Sequence, residues 1–566
     1  MKFSRFIFLF IISLSLLTAN AQPREFPQNY FRPPLNIAPQ ASGSFGELRS
    51  NHFHGGTDYR TQQREGLPVY AVADGFISRA RVQIGGGGHA LYIAHPNGYT
   101  SVYMHLQRFN ETIAPVVKRK QYELQSFSVD FAPDDEIRVK KGDVIAYSGN
   151  TGGSGGPHLH FELRDSKTEE VFNPQLFGLT IPDSRPPDLS GFMVFRLGDA
   201  PFSENTPREQ IQLSGSNGNY RLAPNTVIPV NGNTGFGIVA YDQTSVSPNR
   251  NGIFALELLL DGVPIYHSSF TGFFFHHSRA LNSYIDYPTF VMKGRRVQKS
   301  FVEPGNPLTI YHKLVNNGII DIRDDQVHEM LYRVRDIAGN TSTLAFKVRY
   351  AADMMVDQHL KAGTTRLPYN QTSVIEKDDL RIEIPANALY SPLHFEYSKA
   401  ARKTGGFSPV HHVHNRMIPL HEAYTLSVRA DDSLPADLRD KTLLVDARGR
   451  SHGGSYDKGY VTARVREFGS FHITTDTQPP AIRPVNIAAN RKMGSRVNFK
   501  ISDNLSGIQS FNGYIDGKWV LMEYDAKTAS LWHTFEPDLS KGEHEFKLVV
   551  SDAKGNESVY RVNFLK

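Results

Sequence analysis

The chain of 566 residues contains no cysteine. Disulfides and a cysteine-linked lipid anchor are therefore excluded, and the strong metal ligands that remain are histidine, aspartate and glutamate. Long apolar runs are also missing, apart from Phe6 to Leu17, which is too short for a transmembrane helix. No dense lysine or arginine tract occurs, and a formal net charge of +5 is small for this length, so we expect no nucleic-acid partner.

The first residues have the pattern of a secretory signal. Lys2 and Arg5 precede the apolar run, and the small residues Ala19 and Ala21 follow it. We predict a cleaved signal peptide over residues 1–21, and therefore a periplasmic or secreted protein without a transmembrane anchor.

Short runs of Val, Ile, Tyr and Phe alternate with turns rich in Gly, Asn, Asp and Pro, whereas helical periodicity is rare. This pattern predicts an all-β chain, and its length predicts several domains. The predicted segments after the signal peptide are an N-terminal segment (22–45), a compact β-sheet domain (46–182), a β-sandwich (183–350), a further β-rich domain (364–475) and a second β-sandwich (476–566).

The two predicted sandwiches are copies of one pattern. The matched pairs, in the same order, are DSRPPDL (183–189) with DTQPPAI (476–482), YDQTSVSPNRNGIFALELLLDG (241–262) with SDNLSGIQSFNGYIDG (502–517), and RDIAGNTS (335–342) with SDAKGNES (551–558). The Asp-x-x-Gly-Asn element resembles a turn of bacterial immunoglobulin-like domains, so we expect two immunoglobulin-like modules.

Two histidine-containing stretches are candidates for chemistry. NHFHGGTDYR carries His54 and Asp58, and GPHLHFEL carries His158 and His160. Residues two or four apart on a strand face the same side, so each pair would share a face, with Glu162 beside the second pair. The two glycines of the first stretch allow a close backbone approach. Glu162 would either orient a metal ligand or simply be solvated.

Spacing alone is weak evidence in a chain with 22 histidines. His52 and His54 form one His-x-His pair, and His412 and His414 form another. The cluster of His411, His412, His414 and His421 lacks any context of a known site, and we expect it to be structural, as we do for His276 and His277.

The surroundings of the first two stretches are more specific. The sequence over about residues 46–175 resembles the lysostaphin-type, or LytM-like, zinc endopeptidases of peptidoglycan, which implies a LytM-like β-sheet fold. The resemblance rests on five motifs in order: HFHGGTD, GLPVYAVADGFI, VYMHL, VKKGDVIAYSGNTGGS and GPHLHFEL.

The resemblance implies one zinc ion (Zn2+) held by His54, Asp58 and His160, with His105 and His158 as catalytic histidines. Three protein ligands leave a fourth position for water, which is typical of a catalytic zinc site. One catalytic histidine would move a proton and the other would stabilise an oxyanion, and the sequence leaves open which does which.

The chain departs from the family pattern at three places. The stretch after Leu106 is longer than the usual connection, and we expect this insertion to wall the groove. IGGGGHA brings an extra histidine, His89, towards the site, and Gly155 stands where threonine is common.

The implied function is a secreted or periplasmic zinc metalloendopeptidase that hydrolyses peptide cross-links of bacterial peptidoglycan, with the sandwiches available to an envelope protein partner. The alternative is a non-catalytic LytM-like regulator that binds a cell-wall amidase or its activator, and a third hypothesis is adhesion through the β-modules. The bond that is cut would be D-alanyl to diaminopimelate or a glycine bridge.

Overall fold

The computed structural model describes residues 25–354 and 364–566, so the predicted signal peptide lies outside the described residues. Within these ranges strands predominate and the helices are short, which confirms the all-β prediction. None of the helices in the described ranges has the length and apolarity that crossing a membrane requires.

The predicted β-sheet domain, residues 46–182, is called the N-terminal unit here, and it contributes most strands of a 12-stranded sheet. The main path of this sheet runs through Ala41–Gly43, Thr57–Arg60, His158–Asp165, Tyr99–Phe109, His89–Ala94, Gly75–Val82 and Val129–Phe131. Its other strands are Pro68–Tyr70, Arg138–Val139, Val144–Ser148, Glu170–Phe172 and Gly272–Phe274. The preceding segment adds Phe31 and Leu35 to the same hydrophobic core.

The insertion after Leu106 contains the one long helix of the N-terminal unit, Ala114–Leu124. Pro115 lies in its first turn, where a missing N–H costs no helical hydrogen bond. Val117 points into the core of the unit. A short 3-10 helix, Pro174–Phe177, ends the unit.

The first repeat, residues 183–350, consists of two sheets around one core. One sheet contains Asp188–Arg196, Arg208–Ile211, Thr234–Tyr241 and Gln298–Lys299. The other contains Ser214–Ser216, Asn219–Arg221, Val227–Val230, Ala255–Leu260, Val263–Ser269, Tyr311–Leu314, Val327–Arg335 and Thr341–Tyr350. Its helical segments are Phe275–Ala280, Leu281–Tyr284, Tyr287–Lys293 and Asn316–Gly318. Alternating residues such as Phe192, Phe236 and Tyr332 fill the space between the sheets.

The middle unit, residues 364–475, has its own core and three sheets. Its strands are Thr365–Leu367, Ser373–Lys377, Leu380–Ile384, Leu393–Phe395, Tyr397–Ala400, Val410–Val413, Tyr424–Arg429, Thr442–Asp446, Ser455–Asp457, Tyr460–Val465 and Gly469–Thr475. The 3-10 helix Ala436–Lys441 precedes one of them.

The second repeat, residues 476–566, also packs two sheets over one core, and here each sheet has four strands. The first sheet contains Ala481–Pro484, Arg496–Ser502, Glu523–Asp525 and Ser530–Thr534. The second contains Ile508–Ile515, Lys518–Val520, Glu543–Asp552 and Glu557–Leu565.

The first repeat is joined to the N-terminal unit by backbone pairing as well as by side chains. Its strand Gly272–Phe274 pairs antiparallel with Glu170–Phe172, which extends the N-terminal sheet. A separate hydrophobic core fills this junction, and it includes Phe45, Phe53 and Phe273. The two units therefore share a sheet and a core.

The second repeat returns to the N-terminal unit and contacts the inserted helix. Lys118 Nζ lies 2.6 Å from Glu536 Oε2, and the Tyr122 hydroxyl donates to Glu536 Oε1 at 2.9 Å. The rings of Tyr122 and Trp519 meet edge to face at 5.2 Å. The insertion after Leu106 therefore contacts the second repeat, which is distant from it in the sequence.

Removing the aromatic ring of Phe273 tests the shared core. Phe273 is fully buried, with ring centroids 5.0 Å from Phe45 and 5.8 Å from Phe53. We expect Phe273→Ala to lower the free energy of unfolding by about 3–5 kcal/mol, because a large cavity opens. Urea denaturation of the full chain measures this change in the free energy of unfolding.

Phe275→Ala is the matched control, because Phe275 lies two residues away and is 53% exposed. We expect this change to stay within about 0.5 kcal/mol of the original protein. Equal losses for the two variants would contradict a shared core at this junction.

Candidate active site

The site is set by the pairing of two strands. Thr57–Arg60 runs antiparallel to His158–Asp165, and the register places Asp58 directly opposite His160. Directly opposed residues have their Cβ atoms about 4.5–5.5 Å apart, so their side chains meet. The pairing therefore brings together two residues that are 102 positions apart in the sequence.

The strand His158–Asp165 has two different faces. Leu159, Phe161 and Leu163 are fully buried in the core of the N-terminal unit. His160 and Glu162 alternate with them and point to the other face, as the two-residue period of a strand requires. The predicted placement of the HLHFE stretch on a strand is confirmed.

His54 reaches the same place from a loop, so the prediction that it shares a strand face with Asp58 is wrong. Only Asp58 lies on the strand, which begins at Thr57. The chain bends at Gly56, where a Cβ would lie 2.3 Å from the Phe161 carbonyl oxygen. A side chain at this position would push the loop away, so the glycine permits the approach of His54.

Three ligand atoms converge at one point. His54 Nε2 lies 3.0 Å from Asp58 Oδ1 and 2.9 Å from His160 Nδ1, and the last two atoms are 2.8 Å apart. All three residues are buried, with 6–7% of their surface exposed.

The other ring nitrogens determine where the protons are. His54 Nδ1 donates to the Ser44 carbonyl oxygen at 2.7 Å, and His160 Nε2 donates to Glu162 Oε1 at 2.9 Å. A carbonyl or carboxylate oxygen only accepts, so these nitrogens carry the hydrogens. The remaining nitrogens, His54 Nε2 and His160 Nδ1, face one oxygen of Asp58, and a cation stabilises this arrangement, either as a second proton on His160 or as a metal ion.

Charged side chains surround the three ligand atoms. Arg49 donates to Asp58 Oδ2 at 2.8 Å, and Arg164 donates to Glu162 Oε2 at 2.7 Å. Burial would raise the pKa of Glu162, but Arg164 and His160 outweigh it and lower that pKa to about 2. Glu162 is therefore a carboxylate that fixes the His160 ring.

The pKa values of Asp58 and His160 are shifted in the directions expected for a site that attracts a cation. Burial would raise the pKa of Asp58, yet the imidazoles of His54, His158 and His160 hold it well below its usual range. Burial would lower the pKa of His160, but Asp58 and Glu162 raise it to about 9. The buried carboxylates thus draw positive charge to this point.

His105 and His158 lie beside the three ligand atoms. Their ring centroids are 4.7 Å apart, and His158 Nε2 lies 3.5 Å from Asp58 Oδ1. Each ring donates its Nδ1 hydrogen to a backbone carbonyl at 2.8 Å, that of Thr151 for His105 and that of Gly156 for His158. The Nε2 lone pair of each ring remains available for a reacting group.

His105 is held in an uncommon state. Its φ angle is 61°, in the left-handed region that favours glycine. Burial, followed by the charges of His160 and His158, lowers its pKa to about 3. Its ring is therefore neutral at physiological pH.

The donor set fits a zinc ion. Zinc prefers nitrogen, sulfur and carboxylate ligands, and tetrahedral sites with bonds of about 2.0–2.1 Å separate ligand atoms by roughly 3.3 Å. The three donors here are slightly closer than that. Glu162 would hold His160 as carboxylates commonly hold zinc-ligating histidines.

The remaining candidate histidines lie elsewhere. His52 is exposed and is not among the three clustered ligands. His89 is stacked on Phe109, with ring centroids 5.7 Å apart. His411 and His421 contact tyrosine hydroxyls in the middle unit, at 2.9 Å and 3.2 Å.

Sequence reasoning missed the residues that support the site. Arg49, Ser44 and Thr151 come from loops, and nothing in their local sequence marks them. Arg164 could have been found, because it continues the alternation of His160 and Glu162 along the strand.

Comparisons with known proteins agree with these observations. Residues 52–174 match the model of peptidase family M23, and residues 364–476 match that of the Zu5-like domain. An uncharacterized metalloprotease of Haemophilus influenzae is 34% identical over 150 residues, which are 25% of this chain and 26% of that protein.

Two further relatives have names that describe an activity. The DD-carboxypeptidase/endopeptidase Mpg of Neisseria meningitidis is 33% identical over 145 residues, 26% of this chain and 27% of that protein. The peptidoglycan DD-endopeptidase ShyC of Vibrio cholerae is 30% identical over 146 residues, 25% of this chain and 28% of that protein. The matched stretches thus span only about a quarter of these relatives.

The motifs, the strand pairing that joins them and the match of the family model lead to one conclusion: residues 52–174 of this chain form a peptidase family M23 domain of the LytM-like type.

Proposed function

We propose that this chain is an exported zinc metalloendopeptidase that hydrolyses peptide cross-links of bacterial peptidoglycan. The observation that carries the proposal is the convergence of His54, Asp58 and His160. His105 and His158 lie beside these three residues. The names of the relatives from Neisseria and Vibrio support the substrate class.

His54, Asp58 and His160 would hold the zinc ion. When bound there, zinc supplies a Lewis acid that acidifies water and polarises a carbonyl group. Glu162 and the Ser44 carbonyl keep the two imidazoles in the tautomers that ligation needs. Arg49 holds the second oxygen of Asp58, which leaves the first oxygen facing the histidines.

His105 and His158 would perform the proton and charge transfers. Both present an unprotonated Nε2, because Nδ1 of each ring is bound to a carbonyl oxygen. One ring would accept a proton from the attacking water at Nε2, and the other, after taking a proton from solvent at Nε2, would donate it in a hydrogen bond to the oxyanion of the tetrahedral intermediate. Ser154, whose hydroxyl lies 3.1 Å from His158 Nδ1, further restrains that ring.

The first repeat would take part in substrate binding. Phe275 is 53% exposed, and its ring lies 3.9 Å from where a Cβ on Gly55 would be. Phe275 therefore forms an apolar rim next to the loop that carries His54. A peptide stem could pack its aliphatic parts against this ring.

Substitutions within HLH separate metal ligand from catalyst. His160→Ala leaves two protein ligands, so we expect most of the zinc and all activity to be lost. His158→Ala keeps all three ligands, so zinc should stay near one equivalent while turnover falls by roughly 10²- to 10⁴-fold. Metal analysis and muropeptide hydrolysis on the same preparations measure both quantities.

His52→Ala is the control, because His52 is exposed and repeats the His-x-His spacing without joining the cluster. It should change neither zinc content nor rate. Zinc loss from His158→Ala with zinc retention in His160→Ala would reverse the assignment. Full zinc in the original protein with no hydrolysis of any muropeptide would instead favour the non-catalytic regulator.

Glu162→Gln tests the residue that orients His160. The amide can still accept a hydrogen bond but lacks the negative charge, so we expect zinc affinity to fall by about 10- to 100-fold. Competition with a chromogenic chelator measures the affinity. Glu169→Gln is the matched control, since Glu169 also accepts from Arg164 but its side chain is 59% exposed. Equal affinities for the two variants would show that Glu162 has no role at the metal.

Digestion of defined muropeptides identifies the bond that is cut. We expect the zinc-loaded chain to cleave the D-alanyl to diaminopimelate cross-link, in keeping with the DD-endopeptidase names of two relatives. Mass spectrometry of the products reads the position of cleavage. If glycine bridges were cleaved while D-alanyl cross-links stayed intact, the glycine bridge would be the bond that the chain hydrolyses.

A further inference from the structure

Three aspartates of the first repeat lie together, far from the site described above. One carboxylate oxygen from each of Asp183, Asp242 and Asp336 lies within 4.8 Å of the other two. Asp183 precedes the strand Asp188–Arg196, whereas Asp242 and Asp336 each follow directly after a strand of this unit. The fold therefore gathers three like charges from segments that are distant in sequence.

Asp183 accepts hydrogen bonds from Ser245 and Asp336 accepts them from Asn340, so the unpartnered oxygen of the three carboxylates belongs to Asp242. Asp242 is only 5% exposed, and its Oδ1 atom is buried without a hydrogen-bond donor in the described part of the chain. The nearby Arg185 lies 3.7 Å from Asp188 instead. Burial, followed by the charges of Asp183 and Asp336, raises the pKa of Asp242 to about 8.

A second side chain points to a ligand at this place. Thr244 is 8% exposed, and its Oγ1 atom is buried without a hydrogen-bond partner among the described residues. Thr244 lines the same small cavity as Asp183 and Asp242. An unsatisfied buried hydroxyl destabilises the fold, so a ligand that takes its lone pair would be favoured.

We propose that Asp183, Asp242 and Asp336 bind a calcium ion. The donors are all oxygens, which excludes the nitrogen and sulfur sets that zinc and copper prefer. Calcium accepts six to eight oxygens in flexible geometry, so backbone carbonyls, Thr244 and water can complete its shell. Magnesium demands a stricter octahedron and keeps more of its water.

The position of this calcium site gives it a structural role. Its cavity is also lined by Asn173 of the N-terminal unit and by Ser44, which lies just before that unit, so the ion would lie at the junction with the first repeat. The Gly252 N–H donates to Ser44 Oγ at 2.9 Å, and the Ser44 carbonyl accepts from His54. Calcium would thus stiffen the junction on which His54 depends.

The second repeat contains a similar group of three aspartates, which can be compared with the first. Asp476, Asp503 and Asp552 occupy the corresponding places in the repeated sequence and also lie within 4.8 Å of one another. Burial lowers the pKa of Lys554, two residues after Asp552, and the charges of Asp440, Asp476 and Asp552 oppose this shift. The first repeat has the uncharged Ala338 at that position, and the cation whose charge acts on Asp242, Arg185, is paired with Asp188.

Calcium titration of the full-length, zinc-loaded chain tests the proposal. In calcium-free buffer at pH 7.5, calorimetry should detect one equivalent of bound Ca²⁺ with a dissociation constant at or below about 1 mM, the range of extracellular calcium modules. Saturating Ca²⁺ should raise the melting temperature, because it binds only the folded state. Equal concentrations of Mg²⁺ should do neither.

Two variants locate the ion. Asp242→Asn keeps the shape of the side chain and should weaken calcium binding at least 10-fold. Ala338→Lys should weaken it to the same extent, because it places at an exposed position the positive charge that Lys554 gives the second repeat. Asp503→Asn, the matched change in the second repeat, should leave binding intact. An original protein that binds no Ca²⁺, or full binding by both Asp242→Asn and Ala338→Lys, would overturn the proposal.

Discussion

The antiparallel register between Thr57–Arg60 and His158–Asp165 is the constraint on which the site depends. It places Asp58 opposite His160 while Leu159 and Phe161 fill the core on the other face. A slip of one residue would turn the apolar side chains outward and the ligands inward. The hydrophobic core therefore fixes the positions of Asp58 and His160, although none of its side chains belongs to the candidate metal site.

The buried charges depend on this register as well. Glu162 is ionised in the interior because Arg164, two positions further along the same face, compensates the cost of its burial. The ionised carboxylate then fixes the His160 ring. Ligand geometry is thus supported by a row of alternating residues on one strand, and the surrounding loops add Ser44 and Arg49 from the opposite side.

The motifs predicted the strand character of the HLHFE stretch, the all-β architecture and the five histidine and aspartate residues that the structure brings together. They failed for the path of His54, because strand periodicity was applied across Gly55 and Gly56, where the chain bends. The insertion after Leu106 was expected to wall the groove; the contact of its helix Ala114–Leu124 with Glu536 and Trp519 of the second repeat was not predicted.

The sequence by itself determined which residue types could bind metal, because the lack of cysteine and the order of five motifs left few candidates. It also determined the alternation that separates core from site on the strand His158–Asp165. Only the tertiary structure decided which atoms meet, which tautomers are held and how the repeats join the N-terminal unit. The meeting of His54 with His160 and the junction with the first repeat depend on contacts between residues more than 100 positions apart, and local periodicity carries no information about such contacts. The tautomers depend on which carbonyl or carboxylate oxygen lies next to each ring, which only the folded chain determines.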